Sequence, residues 1–104
     1  MVALTDILAG SLEDIARACQ ASDVKRLDLF GSCARQDSTR DSDADFLVEF
    51  NDPLRIGLFD RFLTLHQALE KITGRRVDLL ESSSLTNPVL RQRIQQDRKL
   101  IYAA

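Results

Sequence analysis

Phe30-Gly31-Ser32-Cys33-Ala34-Arg35, a polar run through Ser42, and then Asp43-Ala44-Asp45-Phe46-Leu47-Val48-Glu49-Phe50 is the stretch around which the chain is organised. On an extended chain, carboxylates at i and i+2 point to one face, because strand side chains alternate with period two. Asp43 and Asp45 can therefore share a cation. The apolar run that follows fits a buried strand, which would hold the pair on a rigid element. Upstream, Leu27-Asp28-Leu29-Phe30 reads as another strand, with Gly31-Ser32 after it where a short helix can begin. Glycine lets a phosphate approach the backbone, and open amides with a serine hydroxyl can bind its oxygens. The stretch thus predicts a phosphate site facing a metal site.

Taken singly, each piece is weak: Gly-Ser is a common turn, and Asp-Ser-Asp-Ala-Asp is commonly a solvated loop or helix cap. The combination gains from a later strand, Arg76-Val77-Asp78-Leu79-Leu80, with one acid inside an apolar run. A buried lone carboxylate is costly, so Asp78 either faces solvent on an edge strand or is neutralised by a partner or a metal. A third oxygen ligand favours the metal.

These residues closely resemble the polymerase-β-like nucleotidyltransferase superfamily: Gly31-Ser32, ten residues, Asp43-x-Asp45 opening an apolar strand, then Val77-Asp78-Leu79-Leu80. The small size resembles the minimal nucleotidyltransferase (MNT) antitoxins within it. Ala34-Arg35 also agrees with that family's Gly-Ser-x-Ala-Arg habit, whereas Gln36 stands where glycine is common. The resemblance implies that Asp43 and Asp45 hold two Mg²⁺ ions, that Asp78 completes the ion activating the acceptor, and that Gly31 and Ser32 bind the outer phosphates of ATP. Arg35 either reaches those phosphates or pairs with a nearby acid and locks the loop. The implied activity is transfer of AMP from ATP to a hydroxyl, a tyrosine of a cognate HEPN-type ribonuclease toxin, in a toxin–antitoxin pair. Neutralising the toxin by binding alone is the alternative in a different class. Modification of a small molecule is a third reading, disfavoured because no extra domain is present to build its pocket.

At 104 residues the chain is expected to be a single domain over 1–104, with a modest core and a site that a partner completes. Fourteen Lys and Arg nearly balance sixteen Asp and Glu, which argues against nucleic acid as the main ligand. Two cysteines and one histidine make neither a four-ligand zinc site nor a disulfide framework. No apolar run is long enough to span a membrane and the N-terminus has no signal-peptide pattern, so a cytoplasmic protein is expected. The absence of Gly-x-x-x-x-Gly-Lys-Ser/Thr excludes a Walker-type ATPase.

In chain order, Leu4, Ile7, Leu8, Leu12, Ile15, Ala16 and Cys19 make one helical stripe, with Ser11 and Asp14 placed as a capping box for a fresh start. Cys19 reads as a small core residue. Ala21-Ser22-Asp23 is a turn and Val24–Phe30 the first strand. Cys33 beside Ser32 is either a thiol activated at a helix N-terminus or, the plainer reading, a small residue on the inner side of a short helix. Asn51-Asp52-Pro53 ends the second strand. A helix over about 57–73 is expected to bury Phe59, Phe62, Leu63, His66, Leu69 and Ile72, with Gly74 as its C-terminal cap and His66 as a boundary residue, not a catalytic base. The third strand covers Arg76–Glu81. Asn87-Pro88 then opens a last helix, with Arg91, Arg93, Arg98 and Lys99 around Leu90, Ile94 and Leu100. Those cations are either a solvated face or a surface for an acidic partner or for nucleotide phosphates. Ile101-Tyr102 is a closing strand or a tail. The order of elements predicts an α/β (α+β) domain with a small mixed sheet and helices packed mainly on one face.

Overall fold

Alternation along the strands sorts the apolar residues into two faces, and a computed structural model shows what covers each. The structure describes residues 10–31, 34 and 43–104. Helix α1 is Leu12–Ala21, strand β1 Val24–Phe30, β2 Ala44–Phe50, α2 Leu58–Thr73, β3 Val77–Glu81, α3 Pro88–Asp97 and β4 Lys99–Ala103, with a 3-10 turn at Ser82–Ser84. The sheet order is β3-β2-β1-β4, with β1 antiparallel to both β2 and β4, and β3 parallel to β2. The expected mixed sheet is present, and Ile101-Tyr102 belong to its fourth strand. No helix among the described residues is long and apolar enough to cross a membrane.

On one face, Leu27, Leu29, Phe46, Val48, Phe50, Val77 and Leu79 are buried together with Ile15 and Cys19 of α1 and Leu65 and Leu69 of α2. The other face carries a smaller cluster, in which Phe30 and Leu47 pack with Ile94 of α3 and, at the margin, Leu80 and Leu85. Two helices thus share one face and α3 partly covers the other.

The helix ends follow their sequence signals in part. Asn87 accepts hydrogen bonds from the amides of Val89 and Leu90, with Pro88 in the first turn, as its type predicts. Gly74 adopts φ 67° and its N–H donates to the Glu70 carbonyl at 2.9 Å, closing α2 as expected. At α1, Ser11 precedes the helix but makes no side-chain cap hydrogen bond, so the expected capping box does not form. The stripe residues Leu4, Ile7 and Leu8 lie outside the described residues, and Leu12 is exposed.

The expected buried face of α2 is partly wrong. Leu65 and Leu69 are fully buried and Leu58, Phe62 and Ile72 pack beside them, whereas Phe59 is 74% exposed and Leu63 is also exposed. Two overlapping apolar stripes run along this helix about one residue apart; the one with Leu65 enters the core, while Phe59 and Leu63 of the other are exposed. Arg61 fixes the helix's approach. Its guanidinium donates to the carbonyls of Ser22, Asp23 and Asn51 at 3.0, 2.9 and 2.6 Å and lies 4.9 Å from the Phe50 ring centre, tying α2 to the turns at one end of β1 and β2.

Candidate functional site

At the other end of those strands the acids assemble. Phe30 pairs with Asp45 across the antiparallel ladder, and Asp45 pairs with Asp78 across the parallel one. Partners in register share a face, so Asp45 and Asp78 stand side by side on the face that α3 only partly covers. Gly31, next after Phe30, closes on the same spot. It has φ +74°, and a Cβ added there would collide with the Asp45 carboxylate. Only glycine lets the backbone lie against that acid, a contact with a carboxylate and not the phosphate approach expected at Gly31.

Asp43 lies one residue before β2. Ala44, between the two acids, is fully buried and its N–H donates to the Arg76 carbonyl at 2.9 Å, locking the start of β2 to the start of β3. The Asp43 side chain is half exposed and its Oδ1 sits 3.3 Å from Nε of Arg76. An exposed pair of this kind contributes little stability. Asp78 is exposed, on the edge strand β3. The desolvation cost expected for it therefore does not arise, and its place beside Asp45 rests on register alone.

Among the described residues, no three Asp, Glu, His or Cys side chains stand as a group that could hold a metal ion. The structure brings Asp45 to Asp78 and Gly31 to Asp45, and turns Asp43 toward Arg76. The donor set is nonetheless of the right kind: three carboxylates at or beside the starts of adjacent strands suit a hard divalent cation. Ser32 and Arg35, expected at the phosphates, lie outside the described residues, as does Cys33. His66 is a boundary residue as expected, its Nε2 donating to the Val77 carbonyl at 2.8 Å.

Asp28 is the charged residue whose surroundings the sequence reading did not anticipate. It sits in the middle of β1, 1% exposed, on the same face as the acids. Arg26 donates to both its oxygens at 2.9 and 3.1 Å, and Arg98 donates to Oδ2 at 2.6 Å. Burial with two guanidinium partners keeps such a carboxylate paired. Its signal was an acid between Leu27 and Leu29, the same pattern that drew attention to Asp78. A cavity of about 140 Å³ beside it lies between α3 and the sheet, with Leu47, Ile94, Arg91 and Arg98 in its walls.

The family model described as "Polymerase beta, Nucleotidyltransferase" matches residues 13–104. A Methanocaldococcus jannaschii protein provisionally named protein adenylyltransferase MJ1379 is 44% identical over 79 residues, 76% of this chain and 76% of that one. A solved structure described as a minimal nucleotidyltransferase superposes with TM-score 0.75 at 31% identity, covering 94% of this chain and 95% of the other. A chain from the complex of tri-AMPylated Shewanella oneidensis HEPN toxin with MNT antitoxin has TM-score 0.61 at 22% identity, covering 89% of this chain and 70% of that chain, a likeness of fold.

Proposed function

The chain belongs to the polymerase-beta nucleotidyltransferase family, and from that premise we propose that it is a protein adenylyltransferase that moves AMP from ATP to a tyrosine hydroxyl of a HEPN-type toxin, serving as that toxin's antitoxin. The observation that carries this reading is the junction of Gly31, Asp45 and Asp78. It sets a glycine backbone against one carboxylate and a second carboxylate beside it, an arrangement in keeping with a cation and phosphate site. The name of the M. jannaschii relative supports the reaction, and the AMPylated toxin in the S. oneidensis complex supports the partner.

In the transfer, the acceptor oxygen forms a bond to the α-phosphorus, the bond from that phosphorus to the bridging oxygen of pyrophosphate breaks, and the hydroxyl proton is lost to a base or to water. Asp43, Asp45 and Asp78 are the residues that would hold Mg²⁺, the cation their hard oxygen donors suit. Two such ions, when bound, supply charge neutralisation for both the attacking and the leaving oxygens. Gly31 would admit the outer phosphates, with Ser32 and Arg35 as further contacts. Asp45 and Asp78, fixed on adjacent strands, orient what is bound between them, and that orientation is where most of the rate gain from positioning would arise.

Thermal denaturation with and without Mg²⁺ and ATP tests this directly. A ligand at roughly 100 times its Kd adds about 2.7 kcal/mol, which in a domain of this size is a rise of roughly 10–20 °C. The wild type is expected to show that rise and Asp45→Asn to lose it. Equal rises in both would contradict the site.

A further inference from the structure

Val77, the residue before Asp78, has both backbone polar groups held by side chains of α2. Its N–H donates to Oε2 of Glu70 at 3.1 Å, and its carbonyl accepts from Nε2 of His66 at 2.8 Å. The reason lies in the sheet. β3 is an edge strand, and in a parallel pair successive residues turn their amide and carbonyl alternately toward and away from the neighbour. The Arg76 carbonyl is taken by the Ala44 amide, so Val77 points outward, where an edge strand ordinarily leaves its groups to water. Here one turn of α2 supplies a donor, His66, and an acceptor, Glu70, at i and i+4, the spacing that puts two side chains on one helical face. His66 Nδ1 is 3.8 Å from Glu70 Oε1, so the two residues face the strand as a pair.

We propose that His66 and Glu70 are positioning residues for Asp78, holding the start of β3 so that this exposed acid keeps its register with Asp45 when a divalent cation binds. The inference rests on the reading of Asp78 as a cation ligand. A side chain on an edge strand is placed only as well as its backbone. With the Val77 groups released, the first residues of β3 are held by one ladder alone. Partners outside the ligand shell typically change metal affinity or activity by about 10–100-fold when removed.

The test is calorimetric titration of the full chain with Mn²⁺, a spectroscopically and thermodynamically convenient stand-in for Mg²⁺, in the presence of a non-hydrolysable ATP analogue. Glu70→Ala and His66→Ala are expected to weaken the cation about tenfold, in the direction of Asp78→Asn. Glu70→Gln keeps an acceptor for the Val77 amide and His66→Gln keeps a donor for its carbonyl, so both should bind within about twofold of wild type. A purely structural role would lower the melting temperature and the folded fraction without moving the affinity of the molecules that remain folded. Wild-type affinity in both alanine variants, with Asp78→Asn weakened, overturns the positioning role while leaving the site. Wild-type affinity in Asp78→Asn, or no saturable Mn²⁺ binding by the wild type, overturns both.

Discussion

Arg98, just past the end of α3, places Nη2 2.6 Å from Oδ2 of Asp28, an acid buried in the middle of β1 and seventy residues away in the chain. The pair joins the C-terminal helix and the strand that leads to Gly31. Removing one partner of a buried ion pair leaves an uncompensated charge and typically costs about 3–5 kcal/mol, whereas replacing both with apolar residues is often near neutral. Arg98 is partly exposed and Arg26 remains as a second partner, so the lower end applies.

Arg98→Met is expected to cost roughly 3 kcal/mol in urea unfolding. The double variant Asp28→Leu with Arg98→Met should recover most of that loss. A single variant within 0.5 kcal/mol of wild type, as for an ordinary surface change, would show that the pair contributes nothing.

Gly31→Ala addresses the approach of the backbone to Asp45. The left-handed conformation costs an ordinary residue about 1–2 kcal/mol, and the new Cβ would also push the Asp45 carboxylate aside. A modest fall in melting temperature together with complete loss of the Mg²⁺-ATP stabilisation is expected. Retained stabilisation by nucleotide would show that Gly31 is only a turn residue.

The two stripes of α2 separate cleanly by substitution. Leu69 is fully buried, so Leu69→Ala should cost about 2–5 kcal/mol. Phe59 lies largely in solvent, and Phe59→Ala should stay within about 0.5 kcal/mol. Chemical denaturation of both variants reads the difference, and the reverse order would mean that the other stripe faces the sheet.

Burial pushes the Cys19 thiol up from its ordinary value near 9.0 to about 12. The unfolded chain then loses this proton at lower pH than the folded one. The stability tied to the protonated thiol is fully present below about pH 9 and is lost as pH rises toward 12. In a Cys33→Ser background, Cys19 should resist iodoacetamide at pH 8 and react once urea unfolds the chain. Rapid labelling of the folded protein would contradict its burial.

What the sequence disclosed and what it withheld differ by the range of the interaction. The apolar runs Leu27-Asp28-Leu29-Phe30 and Phe46-Leu47-Val48-Glu49-Phe50 mark two strands by composition, and Asn87-Pro88 and Gly74 mark helix ends because caps are local. The contact of Gly31 with Asp45 was not legible, because it is set by the pairing of β1 with β2 across fourteen residues of chain. The burial of Phe59 was misjudged because a helix with two neighbouring apolar stripes does not declare which one a sheet will meet. Asp28 and Asp78 make the same point about charge. Both are acids inside apolar runs, yet Asp28 is the buried one and Asp78 the exposed one. The difference is set by Arg98 and by strand order, neither of which is local to the acids.

Incubation of the chain with its co-purified partner, ATP labelled at the α-phosphate and Mg²⁺ tests protein AMP transfer most directly. The wild type should place label on the partner's protein band and release unlabelled pyrophosphate, and Asp45→Asn should place none. Equal labelling by Asp45→Asn, or no labelling by wild type while it still neutralises the partner, would contradict an adenylyltransferase built on these acids.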